Sequence, residues 1–201
     1  MQDKDWTGNS RSTHAALGAR NYALNERETN DYYATEPKAA QLLMDVEKFS
    51  PMIWECACGE GHLAKEFVNA GYQVYATDLI NRGYGYQQDF LSTAAPPPCA
   101  GFDIITNPPY SKAQEFVEHA LDISADGRKV AMFLKIQFLE GKSRRELFKK
   151  YPPKTIYVSS SRLKCAMNGD FERYAKSNAI CYAWYVWEKG YTGDTILKWI
   201  N

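Results

Sequence analysis

From residue 52 onward the chain alternates short apolar runs with longer stretches of helical period, and glycines or prolines punctuate the changes. Residues 52–57, 73–78, 102–107, 130–134, 155–159 and 180–187 read as strands. Between and before them, residues 62–70 and 113–123 read as helices, as does a stretch from Pro37 that carries Ala40, Leu43, Met44 and Val46 on one side and ends before Pro51. Strands that alternate with helices build βαβ units, and such units force a mostly parallel sheet with helices packed on it. A length of 201 residues suits one domain with one substantial core. The polar residues 1–29 read as a loose arm with a short helix near 15–23, so the domain is expected over 30–201. Ala94-Ala95-Pro96-Pro97-Pro98 reads as a surface loop.

The formal net charge is zero, but its distribution is uneven. Residues 1–127 hold 9 Lys+Arg against 18 Asp+Glu, whereas residues 128–176 hold 13 against 4. The basic stretch includes Lys135, Lys142, Arg144, Arg145, Lys149, Lys150, Lys154, Arg162 and Lys164, and it suits a polyanionic partner. Cys56, Cys58, Cys99, Cys165 and Cys181 are odd in number and lack paired metal spacing, so free thiols in a reducing compartment and no metal site are expected. No apolar run reaches the roughly 18 residues of a membrane span, and the polar N-terminus does not read as a signal peptide. A soluble, cytoplasmic protein is the expectation.

"WECACGEG" places Glu55 at a strand end and Gly59 and Gly61 in a tight turn where backbone can approach a ligand. A lone G-x-G says little. Asp78 lies nineteen residues after Gly59 at the end of the next strand, where a carboxylate can accept both ribose hydroxyls. Asp89 in "QQDF" arrives at the same sheet edge. No G-x-x-x-x-G-K-[ST] is present, and a turn that offers acids repels a triphosphate. A ligand with a ribose and a cationic centre fits better, and S-adenosylmethionine, with its sulfonium and ammonium, is one.

"DIITNPPY" runs an apolar strand into Asn107, Pro108, Pro109 and Tyr110. The prolines stop the strand by removing backbone donors and fixing φ. An exocyclic amine conjugated to a ring is a weak nucleophile because its lone pair is delocalised. Two prearranged acceptors, the Asn107 side-chain oxygen and the Pro108 carbonyl, favour the tetrahedral nitrogen that forms as it attacks a methyl group. Tyr110 can stack on the flat base and hold it in line.

With these motifs the chain resembles the amino-methyltransferases that use S-adenosylmethionine, specifically the small phage-type DNA adenine-N6 methyltransferases. The likeness spans about residues 30–190: "DYYATEP", then "ECACGEG", "ATDL", "QQDF" and "NPPY", in the gamma order of that family. It implies a Rossmann-like class I fold with a seven-stranded, mostly parallel sheet and helices on both faces. It implies cofactor contacts from Tyr33, Thr35, Glu55, Ala57, Gly59, Gly61, Asp78, Leu79, Asp89, Phe90 and Asn107, and catalysis by Asn107, Pro108, Pro109 and Tyr110. Tyr110, Lys135 and Phe171 are the expected substrate contacts, Phe171 on the far face of the base. Two positions depart from the family pattern: Cys56 stands where proline is common, and Glu36 interrupts the usual Thr-Pro.

A base inside a duplex must be flipped out to reach such a site, which requires a grip on flanking phosphates. A basic insertion around 140–178 is placed to supply it, and no residues remain for a separate recognition domain. Double-stranded DNA, a short or relaxed target sequence and a monomeric enzyme are expected. The same chemistry on RNA adenine or a protein glutamine amide is the first alternative. A degenerate methyltransferase fold that only binds nucleic acid is the second.

Overall fold

The computed structural model describes residues 32–93, 101–161, 163–167 and 180–201. The expected arm over 1–29, the 94–98 loop, and residues 162 and 168–178 of the expected insertion, Phe171 among them, lie outside the described residues. Strands β1 (Tyr33–Thr35), β2 (Met52–Glu55), β3 (Gln73–Asp78), β4 (Tyr86–Gln87), β5 (Asp103–Thr106), β6 (Lys129–Lys135), β7 (Thr155–Ser159), β8 (Cys165–Met167), β9 (Tyr182–Glu188) and β10 (Ile196–Ile200) alternate with helices α1 (Pro37–Val46), α2 (His62–Asn69), α3 (Ala113–Ile123) and α4 (Arg144–Lys150).

Eight strands form the main sheet in the order β10-β7-β9-β6-β5-β2-β3-β4. All pairings are parallel except those of β9, which runs antiparallel to both β6 and β7. The expected architecture is present, with one correction: among the described residues the sheet has eight strands rather than seven. The addition is β10, which joins β7 in parallel at the edge. Its first four residues are exposed, so it carries no apolar alternation that a sequence reading could detect.

The two sheet faces explain why the central strands read as continuous apolar runs. Neighbouring residues on a strand point to opposite faces, and both faces are covered. Trp54, Ile104, Met132, Tyr185 and Trp187 belong to one core, shared with Phe116, Val117 and Leu121 of α3. Ile53, Ile105, Ala131, Phe133 and Trp184 belong to the other, shared with Leu43 of α1 and with Leu63 and Phe67 of α2. Trp184 also ties its layer together, since Nε1 donates to the Ala39 carbonyl at 2.8 Å.

Helix α1 opens on Pro37, whose missing donor costs nothing in a first turn. Helix α2 ends in a Schellman arrangement: Gly71 N donates to Val68 O and Tyr72 N to Phe67 O, with Gly71 at φ +92°. The Phe67 and Tyr72 rings meet edge to face at 6.3 Å beside it, closing the stop with an apolar contact.

From β2 the chain steps outward to β3 and β4, then returns to place β5 on the other side of β2. The direction of winding therefore reverses between β2 and β5. A crevice opens at the carboxyl ends of strands at such a reversal, and in this chain those ends carry Glu55 and Asn107. Separately, β1 and β8 form a two-stranded antiparallel ribbon with Tyr33 opposite Met167 and Thr35 opposite Cys165.

Candidate active site

The turn after β2 is held by its neighbours before any ligand is considered. Cys58 N donates to Thr77 O at 2.9 Å, and Gly59 N donates to Asp78 Oδ2 at 2.8 Å. Gly59 and Gly61 both have positive φ, at +55° and +80°. Their missing side chains make room for the protein itself: Gly59 lies against the Tyr32 ring, and a Cβ on Gly61 would stand 2.5–2.6 Å from the ring of Tyr84. The close approach anticipated for a ligand is thus made by two tyrosines, and the cavity wall is formed by Cys56, Ala57 and Cys58 instead. Tyr32 is fixed in turn by Glu60 N, which donates to its hydroxyl at 3.3 Å, and by the Arg82 guanidinium 4.3 Å from its ring centre. Burial pushes the Tyr32 hydroxyl up to about 12, so it stays protonated.

Three carboxyl groups face one cavity of about 280 Å³. Asp78 accepts from Gly59 N through Oδ2 and from Ile80 N at 2.9 Å through Oδ1, so it builds the turn as well as facing the cavity. Asp89 accepts from Leu91 N at 3.0 Å and caps a short 3₁₀ turn. Glu55 differs from both. It is buried, and its Oε2 has no partner among the described residues. Loss of water around it raises its pKa well above the ordinary 4.5, and the charge of Asp78 adds to the rise. A buried, unpaired carboxyl oxygen in an acid-lined cavity is costly unless a cation or donor reaches it. The wall also carries Thr35, whose buried Oγ1 is likewise without a partner among the described residues. Unmet acceptors beside three acids fit a ligand that brings hydroxyls and positive charge, and they do not fit a triphosphate.

Asn107 emerges from the adjacent strand end. Its Nδ2 donates to the Tyr33 carbonyl at 2.8 Å and lies 3.9 Å from Cys165 Sγ. A carbonyl can only accept, so this bond settles which end of the amide is which. Oδ1 is then the free end, buried and without a partner among the described residues. Pro108 and Pro109 continue the same wall. Tyr110 stands beside the cavity rather than in its lining. Its hydroxyl donates to Cys165 Sγ at 3.2 Å, and its ring lies 5.5 Å from Tyr33 and 5.9 Å from Tyr182, near parallel to the latter. Burial drives its pKa well up. Lys135 Nζ sits 4.5 Å from the Tyr110 ring centre, a cation–π contact at the end of β6.

Of the residues singled out in the sequence, Tyr33, Thr35, Glu55, Ala57, Asp78, Leu79, Asp89, Phe90, Asn107, Pro108 and Pro109 share the one cavity. Gly59 and Gly61 stand behind its wall, and Tyr110 and Lys135 stand next to it. Phe90 divides its duty, since it is 2 % exposed and packs 4.9 Å from Phe116 and 5.2 Å from Trp54. Tyr32, Cys58, His62, Arg82 and Lys112 also line the cavity, and sequence reasoning missed them. Arg82 offered a signal, being a cation four residues beyond Asp78; Tyr32, Cys58, His62 and Lys112 lie in loops or at helix ends whose direction only the fold decides. Among the described residues no group of three His, Cys, Asp or Glu could hold a metal ion, and no helix is long and apolar enough to cross a membrane.

No protein-family model matches the chain, and no curated protein matches it. Solved structures do. A putative class I S-adenosylmethionine-dependent methyltransferase from Listeria monocytogenes superposes with a TM-score of 0.59 at 13 % identity, over 87 % of this chain and 68 % of that one. A predicted O-methyltransferase from Agrobacterium tumefaciens gives 0.55 at 14 % identity, over 80 % and 85 %. A putative hemolysin from Lactococcus lactis gives 0.56 at 12 % identity, over 81 % and 91 %. The chain has the Rossmann-like fold of class I methyltransferases.

Proposed function

We propose that the protein is an S-adenosylmethionine-dependent methyltransferase that modifies the N6 amino group of adenine in DNA, with a short or relaxed target sequence. The observation that carries this reading is the Asn107 amide: its nitrogen is occupied by the Tyr33 carbonyl, and its buried oxygen has no partner among the described residues. An acceptor so placed fits a planar amine that has two N–H bonds to give.

The cofactor supplies a methyl group on a positively charged sulfur, which a nitrogen lone pair can take as the sulfur–carbon bond breaks. Glu55 would meet its ammonium, Asp78 its ribose hydroxyls, and Asp89 with Leu79 its adenine. The residues of this chain do the rest by position. Asn107 Oδ1 accepts one hydrogen of the substrate amine, and the Pro108 carbonyl is the natural second acceptor. Together they draw the nitrogen toward tetrahedral geometry and return its lone pair from the ring. The amine proton becomes strongly acidic once the new nitrogen–carbon bond exists, so it leaves to water without a dedicated base. Cys165 cannot serve as one, since burial pushes its thiol up to about 12. Prolines at 108 and 109 hold the acceptors still, which lowers the reorganisation needed on reaching the transition state.

DNA is favoured over a peptide by the charge of residues 128–176, 13 Lys+Arg against 4 Asp+Glu. That stretch begins on β6, whose carboxyl end lies at the same sheet edge as Asn107. The single-domain organisation over 30–201, the phosphate-gripping insertion around 140–178 and the monomeric state belong to this proposal too. The test is transfer of labelled methyl from S-adenosylmethionine to duplex DNA, RNA and glutamine peptides in parallel, with digestion of the product to nucleosides. N6-methyladenine in DNA is the expected product. Asn107→Ala should lower kcat by about 10²-fold or more, the scale of losing one prearranged oxyanion-hole donor, while cofactor affinity stays within about threefold. Label in peptide alone, or none in any substrate, would overturn the reading.

A further inference from the structure

Glu36 is the residue that broke the expected Thr-Pro pattern, and the structure gives it a partner. Its backbone N donates to Lys164 O at 3.0 Å, and its side-chain Oε2 accepts from Lys164 N, also at 3.0 Å. One residue thus grips both polar groups of a residue 128 positions away. The grip falls at the end of the β1–β8 ribbon, where the next pair inward is Thr35 with Cys165. The contacts that orient the NPPY segment come from that ribbon. Tyr33 O receives Asn107 Nδ2 at 2.8 Å, Cys165 Sγ lies 3.9 Å from the same nitrogen, and Tyr110 OH donates to Cys165 Sγ at 3.2 Å.

We infer that Glu36 is a positioning residue: it closes the β1–β8 ribbon, and the ribbon holds the Asn107 amide with its oxygen toward the substrate. The inference rests on the proposed amine chemistry for its kinetic consequence but not for its geometry. An amide can turn over end for end at little intrinsic cost, because its outer torsion is broad and roughly two-fold. Turned over, Asn107 would present N–H to an amine that must itself donate, and the Tyr33 carbonyl would face an oxygen. The ribbon strands are three residues each, too short to keep register by backbone pairing alone. A side chain that locks the open end therefore matters more here than on a long strand. Glu36 is far from the acids that face the cofactor in function as well as in sequence, since it is not part of the cavity wall.

The test compares Glu36→Ala with Glu36→Gln in the full-length protein. Glutamine keeps an oxygen that can accept from Lys164 N; alanine does not. Glu36→Ala should lower kcat about tenfold, with cofactor affinity unchanged within about twofold, and Glu36→Gln should restore most of the rate. A second readout needs no activity: side-chain amide NMR of the asparagine-labelled protein, with the Asn107 signal assigned by Asn107→Asp. In the wild type and in Glu36→Gln the Asn107 amide protons should exchange slowly, and in Glu36→Ala at least tenfold faster. Unchanged exchange in Glu36→Ala, or loss of melting temperature with no change in either readout, overturns the positioning role. A wild type that transfers no methyl group while its Asn107 exchange still responds to Glu36→Ala sinks the proposed function and leaves the clamp standing.

Discussion

Three side-chain oxygens on the cavity wall have no partner among the described residues, and two of them define what the cavity asks of a ligand. Asn107 Oδ1 is one; Glu55 Oε2 is the other. Glu55 makes folding stability depend on pH. Its folded-state pKa lies well above 4.5 because burial disfavours the charged form. In the unfolded chain it ionises near the ordinary value, so as pH climbs above about 4.5 the unfolded state releases a proton that the folded state keeps. Folding stability contributed by this group therefore falls with rising pH, until the folded group ionises as well. We predict that Glu55→Gln is more stable than the wild type in the absence of cofactor, with a melting-temperature gap that is small near pH 4 and widens toward pH 7. The same variant should bind S-adenosylmethionine more weakly, because the amide cannot become the carboxylate that meets an ammonium. A gap that narrows with pH would show that Glu55 is stabilised as an anion by a partner the cavity does not display. The glycines carry a related lesson. Gly59 and Gly61 were legible as a turn, but their purpose was not, since nothing in "CGEG" announces the rings of Tyr32 and Tyr84.

Local punctuation sets the bounds of the elements, while distant partners set their pairing. Helix α2 ends where Gly71 takes φ +92°, and a Cβ there would meet nothing within 4 Å. Gly71→Ala should therefore cost only the left-handed backbone strain, about 1 kcal/mol. Gly61→Ala carries the same kind of strain and also drives a Cβ into Tyr84, so it should cost about 2 kcal/mol or more by urea unfolding. Equal losses at both positions would mean that Tyr84 moves aside freely. Helices α1, α2 and α3 and the strands from β2 to β9 in the main sheet could be read because periodicity and stop signals coincide, apart from β4. The short strands β1, β4, β8 and β10 could not. Two or three residues hold too few alternations to reveal a period in β1, β4 and β8; β1, β8 and β10 pair with segments more than 40 positions away, and β4 and β10 sit exposed at the two sheet edges.

At the scale of the molecule, charge separates along the chain: an acidic first part that includes Glu55, Asp78 and Asp89, and a basic stretch after it. A chain of zero net charge still presents a polyanion with a positive surface if its cations cluster. Lys142, Arg145 and Lys150 are exposed on and beside α4, whereas Arg144 is turned inward, its Nε donating to Phe138 O at 2.7 Å. Duplex DNA affinity should fall steeply with salt, and Lys142→Ala and Arg145→Ala should each flatten the slope of log K against log salt by about 1 without changing which sequence is preferred. Arg144→Ala should instead lower stability through the lost carbonyl contacts. A salt slope near zero would remove the case for nucleic acid as the substrate.

Fold class, strand-to-helix rhythm, the two motif halves and the charge asymmetry were determined by sequence alone, because each depends on residues close together in the chain. Spacing, period and residue chemistry act there without help. Which oxygen of the site stays unmet, what fills the space beside the glycines, and what holds Asn107 the right way round were decided only by the tertiary structure. Those properties depend on contacts such as Tyr33 to Asn107 and Glu36 to Lys164, spanning 74 and 128 positions. Hydrogen-bond partners at that separation are chosen by the winding of the sheet, and no local pattern encodes them.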